Sequence, residues 1–185
     1  MSSLSWNCQG LGLQRTVQAL KKFLRVEELK FVFLMETKLH CDIMSRLKHE
    51  LGYTHGVVVS SNGNSGGLAL LWKPETKVQI HKYSWWYIDA FVDCENNGDL
   101  WRLVRFYGHL DTSKREETWI LLESLSSISN LLWLCIGDFN EITSAFEEGG
   151  NIRPLRQLTL FQNVINYCGF IDLGYRGSLF TWFEN

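Results

Sequence analysis

Apolar and polar residues alternate along this chain in patterns that predict strands and helices in turn. Two uninterrupted apolar runs, at 31–35 and 131–137, are typical of strands buried on both faces. Apolar residues at helical spacing predict helices that begin near Thr16, Asp42, Ser113 and Pro154. Asp42 is the expected N-cap of the second helix, and Ser113 with Glu116 resembles a capping box for the third. The remaining predicted strands are 4–8, 56–60, 67–72, 78–83, 86–92, 100–107 and 178–183.

The connections between these strands predict mostly antiparallel pairing. Residues 61–66 (Ser-Asn-Gly-Asn-Ser-Gly) are followed by neither a helix nor a Lys-Ser/Thr pair, so a hairpin explains them better than a phosphate-binding loop. Asn96-Asn97-Gly98 is a strong turn signal before the strand at 100–107. We therefore predict an α/β sandwich with two mixed or antiparallel sheets inside and helices outside.

Polar residues follow several predicted strands at the point where each strand ends. Asn7, Glu36, the Tyr107-Gly108-His109 segment and Asp138 occupy such positions. Asn140 lies two residues after Asp138, and an extended backbone would turn both side chains to one side. A hard cation such as Mg²⁺ favours one or two protein carboxylates and leaves room for a phosphate oxygen. This pattern favours phosphoester chemistry, although a Gly-Asp-x-Asn segment is equally typical of a strand exit whose side chains bond nearby backbone.

Length, charge and cysteine content narrow the class of protein. A chain of 185 residues with 45% hydrophobic residues predicts one globular domain, 1–185. Its net charge of −2 gives no overall positive field, so any nucleic-acid contact must come from local patches. The five cysteines are odd in number and form no Cys-x-x-Cys pair, which favours reduced thiols in an intracellular protein. No apolar run reaches membrane-spanning length and no signal peptide is recognisable, so we expect a soluble protein with no membrane partner.

Taken together, five short motifs resemble the endonuclease/exonuclease/phosphatase superfamily, and in particular the endonuclease domain of plant LINE-type non-LTR retrotransposons. The resemblance runs from Leu4 to Trp182. It implies a four-layer α/β sandwich that cuts DNA phosphodiester bonds with Mg²⁺, or with Mn²⁺ in its place, and without a small-molecule cofactor. It also implies a nuclear location, whereas the oligomeric state stays open. The motifs are 5–11 (Ser-Trp-Asn-Cys-Gln-Gly-Leu), 34–38 (Leu-Met-Glu-Thr-Lys), 106–109 (Phe-Tyr-Gly-His), 136–141 (Ile-Gly-Asp-Phe-Asn-Glu) and 178–182 (Ser-Leu-Phe-Thr-Trp).

The resemblance also implies a role for each polar residue of these motifs. Glu36 would be the metal carboxylate, and Asn7 would help to place the metal and the phosphate. Asp138 would orient or deprotonate the attacking water. Two residues would contact the phosphate directly, Asn140 through its amide and Tyr107 through its hydroxyl. Two more are candidates for substrate binding: Thr181 on the DNA-facing rim, and His109, which a turn position explains as well.

The chain departs from the family pattern in three places. Family members carry an Arg-Leu-Asp-Arg-like strand and then a Ser-Asp-His motif, and neither occurs in these 185 residues. We therefore expect a domain that is incomplete at its C-terminus, lacks its last strands and has lost about 10²–10⁴ in rate with the histidine. Arg105 stands where the family usually has glycine, and Leu110 stands where it has proline. Arg105 is a candidate DNA contact, although drift in an unselected copy explains it too.

These observations give one main hypothesis and two alternatives. The main hypothesis is a truncated LINE-type endonuclease, a Mg²⁺-dependent hydrolase with an incomplete catalytic set and weak or no activity. The first alternative is a non-catalytic retroelement remnant or nucleic-acid-binding module. Its affinity for DNA would be unchanged by EDTA and by Glu36→Gln. The second, a nucleotide or inositol-phosphate phosphatase, is disfavoured because the Gly-Asp-Phe-Asn-Glu and Phe-Thr-Trp segments are typical of the retroelement branch.

Overall fold

The computed structural model describes residues 2–93, 99–143, 154–174 and 176. The turn predicted at 96–98 and the strand predicted at 178–183 lie outside these residues. The strands are β1 (Ser3–Asn7), β2 (Phe31–Met35), β3 (His55–Val59), β4 (Leu68–Trp72), β5 (Val78–Tyr83), β6 (Tyr87–Asp93), β7 (Leu100–Tyr107) and β8 (Trp133–Asp138). The helices are α1 (Gln14–Glu27), α2 (Cys41–Glu50), α3 (Arg115–Ser126) and α4 (Leu155–Tyr167), and a short 3-10 helix spans Thr112–Lys114.

The strands form two mixed sheets of four strands each. The first sheet has the order β1-β2-β4-β3, in which β1 and β2 are parallel and the other pairs are antiparallel. The second has the order β5-β6-β7-β8, in which β7 and β8 are the parallel pair. The predicted α/β class with two mixed sheets is confirmed, and so is the hairpin between β3 and β4.

Strand β2 is buried on both faces, as its uninterrupted apolar sequence predicted. Phe31, Phe33 and Met35 pack between the two sheets, in a cluster that includes residues of β6 and β7. Val32 and Leu34 face the opposite way and pack against the buried sides of α1 and α2. Side chains alternate across a strand, so a central strand needs apolar residues at every position.

Strand β8 differs from its prediction. All six of its residues are half-buried, although the sequence predicted burial on both faces. Among the described residues β8 pairs only with β7 and lies at the edge of the second sheet. An apolar run is the same in a central strand and in an edge strand, so sequence alone did not distinguish the two.

Two predicted helix caps are also wrong. His40, not Asp42, is the N-cap of α2, and its ring accepts a hydrogen bond from the Asp42 backbone N–H at 3.5 Å. The proposed capping box does not form, because the Asp111 carboxylate accepts from both the backbone N–H and the hydroxyl of Ser113. An acidic side chain two residues upstream competes well for these donors and starts the 3-10 turn instead.

The chain divides into two compact units, residues 1–107 with 131–138 and residues 108–130 with 139–185. The first holds both sheets, α1 and α2. The second holds α3 and α4, where the rings of Trp119 and Phe161 are 5.8 Å apart and the Cys168 thiol donates to the Leu122 carbonyl at 3.7 Å. None of the described helices has the length and apolar character needed to cross a membrane.

The described cysteines are Cys8, Cys41, Cys135 and Cys168, and all four are free thiols, as predicted. Burial raises the pKa of the Cys8 thiol to about 11, and burial has the same effect on Cys168. Cys8 donates to the Met35 carbonyl at 3.0 Å. A protonated, buried thiol is unreactive, so Cys8 has a packing role beside the site described next.

Candidate active site

Four strand ends in the first unit bring their polar side chains together. Asn7 closes β1, Glu36 follows β2, Tyr107 closes β7 and Asp138 closes β8. The parallel pairs β1–β2 and β7–β8 place the carboxyl ends of their strands at one edge of each sheet. The Asn7 side-chain amide donates to Glu36 Oε1 at 2.9 Å and to Asp138 Oδ2 at 3.1 Å. Residues separated by 131 positions in sequence therefore share one polar centre.

Tyr107 completes this centre. Its hydroxyl donates to Glu36 Oε1 at 2.7 Å, so two donors from different strands meet on one carboxylate oxygen. The carbonyl oxygen of the Asn7 side chain accepts from the Gln9 backbone N–H at 3.2 Å, which fixes the orientation of its amide. Glu36 is 8% exposed, and such a carboxylate is stable in the fold because these donors satisfy it.

The backbone at this site is held in an unusual conformation. Gln9, Glu36 and Lys38 have φ values of 49°, 51° and 53°, in the left-handed region that non-glycine residues rarely adopt. Each costs about 1–2 kcal/mol, and such residues persist where surrounding contacts fix the chain. For Glu36 and Lys38 the fixing contacts are hydrogen bonds from the Thr37 N–H to the Gly67 carbonyl at 3.1 Å and from the Lys38 N–H to the Gly66 carbonyl at 2.9 Å.

Gly67 has a second function in this contact. A Cβ at Gly67 would overlap the Thr37 hydroxyl, and its φ of 89° also disfavours any other residue. Gly66, the last residue of the predicted hairpin connection, and Gly67, which the sequence assigned to the following strand, therefore hold the Glu36 loop in place. The signal available in the sequence was the Gly66-Gly67 pair, but nothing in the sequence showed which loop it contacts.

Gly137 serves the other carboxylate in a similar way. A Cβ at Gly137 would overlap the carbonyl oxygen of Phe106 and lie 2.7 Å from its carbonyl carbon. The missing side chain lets β8 approach β7 closely enough for Asp138 to pair with Tyr107 in the register of the sheet. The glycine of the Gly-Asp segment is thus a packing requirement for the position of Asp138.

Replacing Gly137 with alanine is expected to destabilise the fold by about 1–3 kcal/mol, because β8 must shift away from a backbone atom that cannot move freely. The shift should also displace Asp138 from the Asn7 amide. Urea unfolding measures the first effect. Gly12→Ala is the matched control, because no atom lies within 4 Å of a Cβ at Gly12. Equal stability of the two variants would contradict the packing role of Gly137.

The carboxylate oxygens of the centre are suitable ligands for a hard divalent cation. Glu36 and Asp138 supply carboxylate oxygens within reach of one amide nitrogen, and Mg²⁺ is commonly bound through one or two carboxylates. Lys38 Nζ lies 3.6 Å from Glu36 Oε2 and is 37% exposed in its side chain, so it offsets only part of the negative charge. Among the described residues, one group of three His, Cys or acidic side chains has its ligand atoms close together. This group is His40, Cys41 and Asp42, away from the centre, and His40 and Asp42 are exposed.

Two other predicted site residues belong to the second unit. The side-chain amide of Asn140 donates there to the Gly108 carbonyl at 2.7 Å. The extended-backbone argument for Asp138 and Asn140 was wrong, because β8 ends at Asp138 and Asn140 has a φ of 53°. The His109 ring accepts from the Asp111 backbone N–H at 2.9 Å in a turn of the same unit. Thr181 lies outside the described residues.

Arg105 does not form the DNA contact that the sequence suggested. Its side chain is 0% exposed on the inner face of β7, and its guanidinium carbon lies 5.8 Å from the centre of the Phe33 ring. None of its three guanidinium nitrogens has a hydrogen-bond partner in the described part of the chain. Burial lowers the pKa of Arg105 to about 10. The sequence showed an arginine near the site, but only the fold shows that it points into the core.

The class of protein follows from these observations together with a family comparison. Two mixed sheets with two carboxylates at their strand ends define an α/β protein with a polar centre where the strands end. Residues 4–169 match the model of the Endonuclease/Exonuclease/phosphatase family, and the chain belongs to this family. No curated protein matches the chain.

Solved structures share the fold at low sequence identity. The AP endonuclease LMAP from Leishmania major superposes with a TM-score of 0.69 at 14% identity, over 90% of this chain and 66% of that chain. The 3'-5' exonuclease NExo from Neisseria meningitidis gives 0.68 at 18% identity, over 90% and 71%. A variant of the 3' phosphatase NExo from Neisseria, bound to a product DNA hairpin, gives 0.64 at 17% identity, over 90% and 71%. This chain therefore spans about two thirds of the length of the Leishmania enzyme.

Proposed function

We propose that this chain is a Mg²⁺-dependent DNA-nicking endonuclease domain of a LINE-type retroelement, located in the nucleus. The observation that carries the proposal is the meeting of Glu36 and Asp138 on the Asn7 amide. Membership of the Endonuclease/Exonuclease/phosphatase family supports phosphoester hydrolysis. DNA as the partner is supported by the Neisseria structure that carries a DNA hairpin. The retroelement role is supported by the residues of the five motifs, which resemble those of LINE-type endonuclease domains.

Glu36 would hold the cation, with Asn7 fixing the position of the carboxylate. The ion, when bound, would supply positive charge for the non-bridging phosphate oxygens, on which negative charge increases during hydrolysis. Mn²⁺ would take the same position, because it also prefers oxygen ligands. No small organic cofactor is needed for this chemistry.

The side chains of the centre would have different roles in the reaction. Asp138 would orient the attacking water and take its proton on a carboxylate oxygen, while the Asn7 amide holds that carboxylate in place. Tyr107 carries a hydroxyl donor at the same position, 2.7 Å from Glu36, and would donate to a phosphate oxygen when substrate binds. By the family resemblance, Asn140 is a candidate for a phosphate contact, and His109 and Thr181 are candidates for substrate contacts.

A polypeptide of these 185 residues is expected to be a slow nuclease. It contains no Ser-Asp-His segment, and the loss of one acid–base or charge-stabilising partner typically costs about 10²–10⁴ in rate. The expectation concerns rate alone, because Glu36 and Asp138 are both present for metal binding.

Nicking of supercoiled plasmid under single-turnover conditions tests the function. We expect slow conversion to the open-circular form with Mg²⁺ or Mn²⁺, none with EDTA, and a further loss of about 10²-fold or more in Asp138→Asn, which keeps the shape of the side chain but removes the proton acceptor. Nicking that persists in EDTA or in Asp138→Asn would refute the assignment. Failure both to nick and to bind Mn²⁺ would favour the alternative, a non-catalytic remnant or nucleic-acid-binding module.

A further inference from the structure

Two exposed aromatic side chains lie at the end of β5 and on its connection to β6, at the end of the sheet where β7 stops at Tyr107. Tyr83 is 55% exposed and Trp85 is 56% exposed, whereas Trp86 is half-buried against the core between the sheets. Lys82, one residue before Tyr83, is exposed as well. An exposed aromatic residue by itself is ordinary, but two of them separated by one residue, at the end of β5 and just after it, form a larger feature.

This connection is bonded directly to Tyr107. The Tyr107 backbone N–H donates to the Trp86 carbonyl at 2.7 Å, and the two rings are stacked with 6.4 Å between centroids and 17° between planes. The Ser84 hydroxyl accepts from the Trp86 N–H at 3.1 Å, and the Ser84 N–H donates to the Tyr87 carbonyl at 2.9 Å. The loop is therefore held in place, and Trp85 is one residue away from the ring that packs on Tyr107.

Trp86 and Trp85 have different relations to the fold. Trp86 supports Tyr107, whose hydroxyl reaches Glu36, so its ring is part of the packing of the centre. Trp85 is more than half exposed and takes no part in the described core clusters. A flat apolar ring that is exposed to water, on a connection whose backbone is hydrogen-bonded on either side of it, can stack on another flat ring at small entropic cost.

We propose that Trp85, together with Tyr83, is a stacking platform for an unpaired base of the DNA strand whose phosphate occupies the Tyr107 centre. The proposal rests on the proposed function and specifies the substrate class. The face of a base in regular duplex is covered by its neighbours, so an aromatic platform can bind only a base at a strand end, in a bulge or in single-stranded DNA. Lys38, whose Nζ lies 3.6 Å from Glu36 Oε2, is a positive charge at the same centre for the phosphate bound there.

The binding of short DNAs to the 185-residue chain tests this inference. Fluorescence anisotropy is measured in Ca²⁺, which limits cleavage, with three labelled probes: an oligothymidine strand, a duplex with one unpaired thymine, and the same duplex fully paired. Trp85→Ala should weaken binding of the first two probes by roughly 5- to 150-fold, since stacking on one base is worth about 1–3 kcal/mol, and leave the paired duplex unchanged. Trp85→Phe should retain most of the affinity. Phe23→Ala, which removes an exposed aromatic ring from α1, should change none of the three.

The outcomes separate this proposal from the function on which it rests. An equal effect of Trp85→Ala on paired and unpaired probes, or no effect, would overturn the stacking platform, whatever the result of the nicking assay. A selective loss for unpaired probes in a protein that neither binds Mn²⁺ nor nicks DNA would keep the platform and refute the nuclease. Because Trp85 is exposed, its variants should fold normally, and circular dichroism checks this.

Discussion

Glu36→Gln should lower the affinity for Mn²⁺ by at least about 100-fold and remove metal-dependent nicking, while the protein stays folded. Changes to residues that only support a metal ligand already cost about 10–100-fold, and Glu36 is the proposed ligand itself. A glutamine keeps the shape of the side chain and one acceptor oxygen for the Asn7 and Tyr107 donors. The partly exposed pair with Lys38, at 3.6 Å, is lost at a cost of under about 1 kcal/mol.

Isothermal titration with Mn²⁺ and urea unfolding measure the two effects of Glu36→Gln separately. Glu50→Gln is the control, because Glu50 is exposed and pairs with Lys21 at 2.7 Å on α1. It should bind Mn²⁺ as the unchanged protein does. Mn²⁺ affinity that survives in Glu36→Gln but falls in Glu50→Gln would place the metal elsewhere on the molecule.

Replacing Arg105 with methionine should stabilise the fold by about 1–4 kcal/mol at neutral pH. Burial lowers the pKa of Arg105 to about 10, well below its ordinary value, because the charged guanidinium is removed from water, and replacing a buried charge with an apolar side chain of similar volume commonly stabilises a fold by about 1–4 kcal/mol. The folded state therefore binds this proton more weakly than the unfolded state does. The penalty is fully present below about pH 10 and is relieved as the pH rises above about 10. Methionine has a similar length and carries no charge to desolvate.

Arg102, on the same strand, is the matched control for Arg105. It is equally buried, but its guanidinium donates to both carboxylate oxygens of Asp89, at 2.8 and 2.9 Å, and Asp89 also contacts the His81 ring at 2.9 Å. Arg102→Met should destabilise the fold by about 3–5 kcal/mol, because it leaves a buried carboxylate without its cation. Urea unfolding at pH 7 compares the two variants. Destabilisation of similar size in both would show that Arg105 has a partner in solution.

The same pair of arginines shows where sequence information ends. Residues 100–107 predicted a strand, and β7 spans that range. Arg102 and Arg105 are an odd number of positions apart, so they point to opposite faces of the sheet. On one face Arg102 pairs with Asp89 of β6. On the other face Arg105 lies over the ring of Phe33 in the first sheet. The pattern of the strand gives the alternation, but not which partner each face receives.

Some features of the candidate site were predictable from the sequence, and others were not. The positions of Asn7, Glu36, Tyr107 and Asp138 at strand ends were predictable, because each follows an apolar or alternating run. Their meeting depends on parallel pairing between strands that a helix separates in the sequence, and their roles stay predictions. The supporting contacts of Gly67 and Gly137 were not predictable, since a glycine in a loop or strand has many explanations.

The sequence by itself determined the two-sheet α/β class, the burial of β2 on both faces and the polar ends of the strands, because these depend on residue spacing along one segment. The tertiary structure decided that β8 is an edge strand among the described residues, that Asp111 and not Ser113 caps its turn, and that Arg105 is buried without a hydrogen-bond partner in that part of the chain. Each of these depends on contacts that residue spacing does not encode, and most of them are fixed only when the sheets pack against each other.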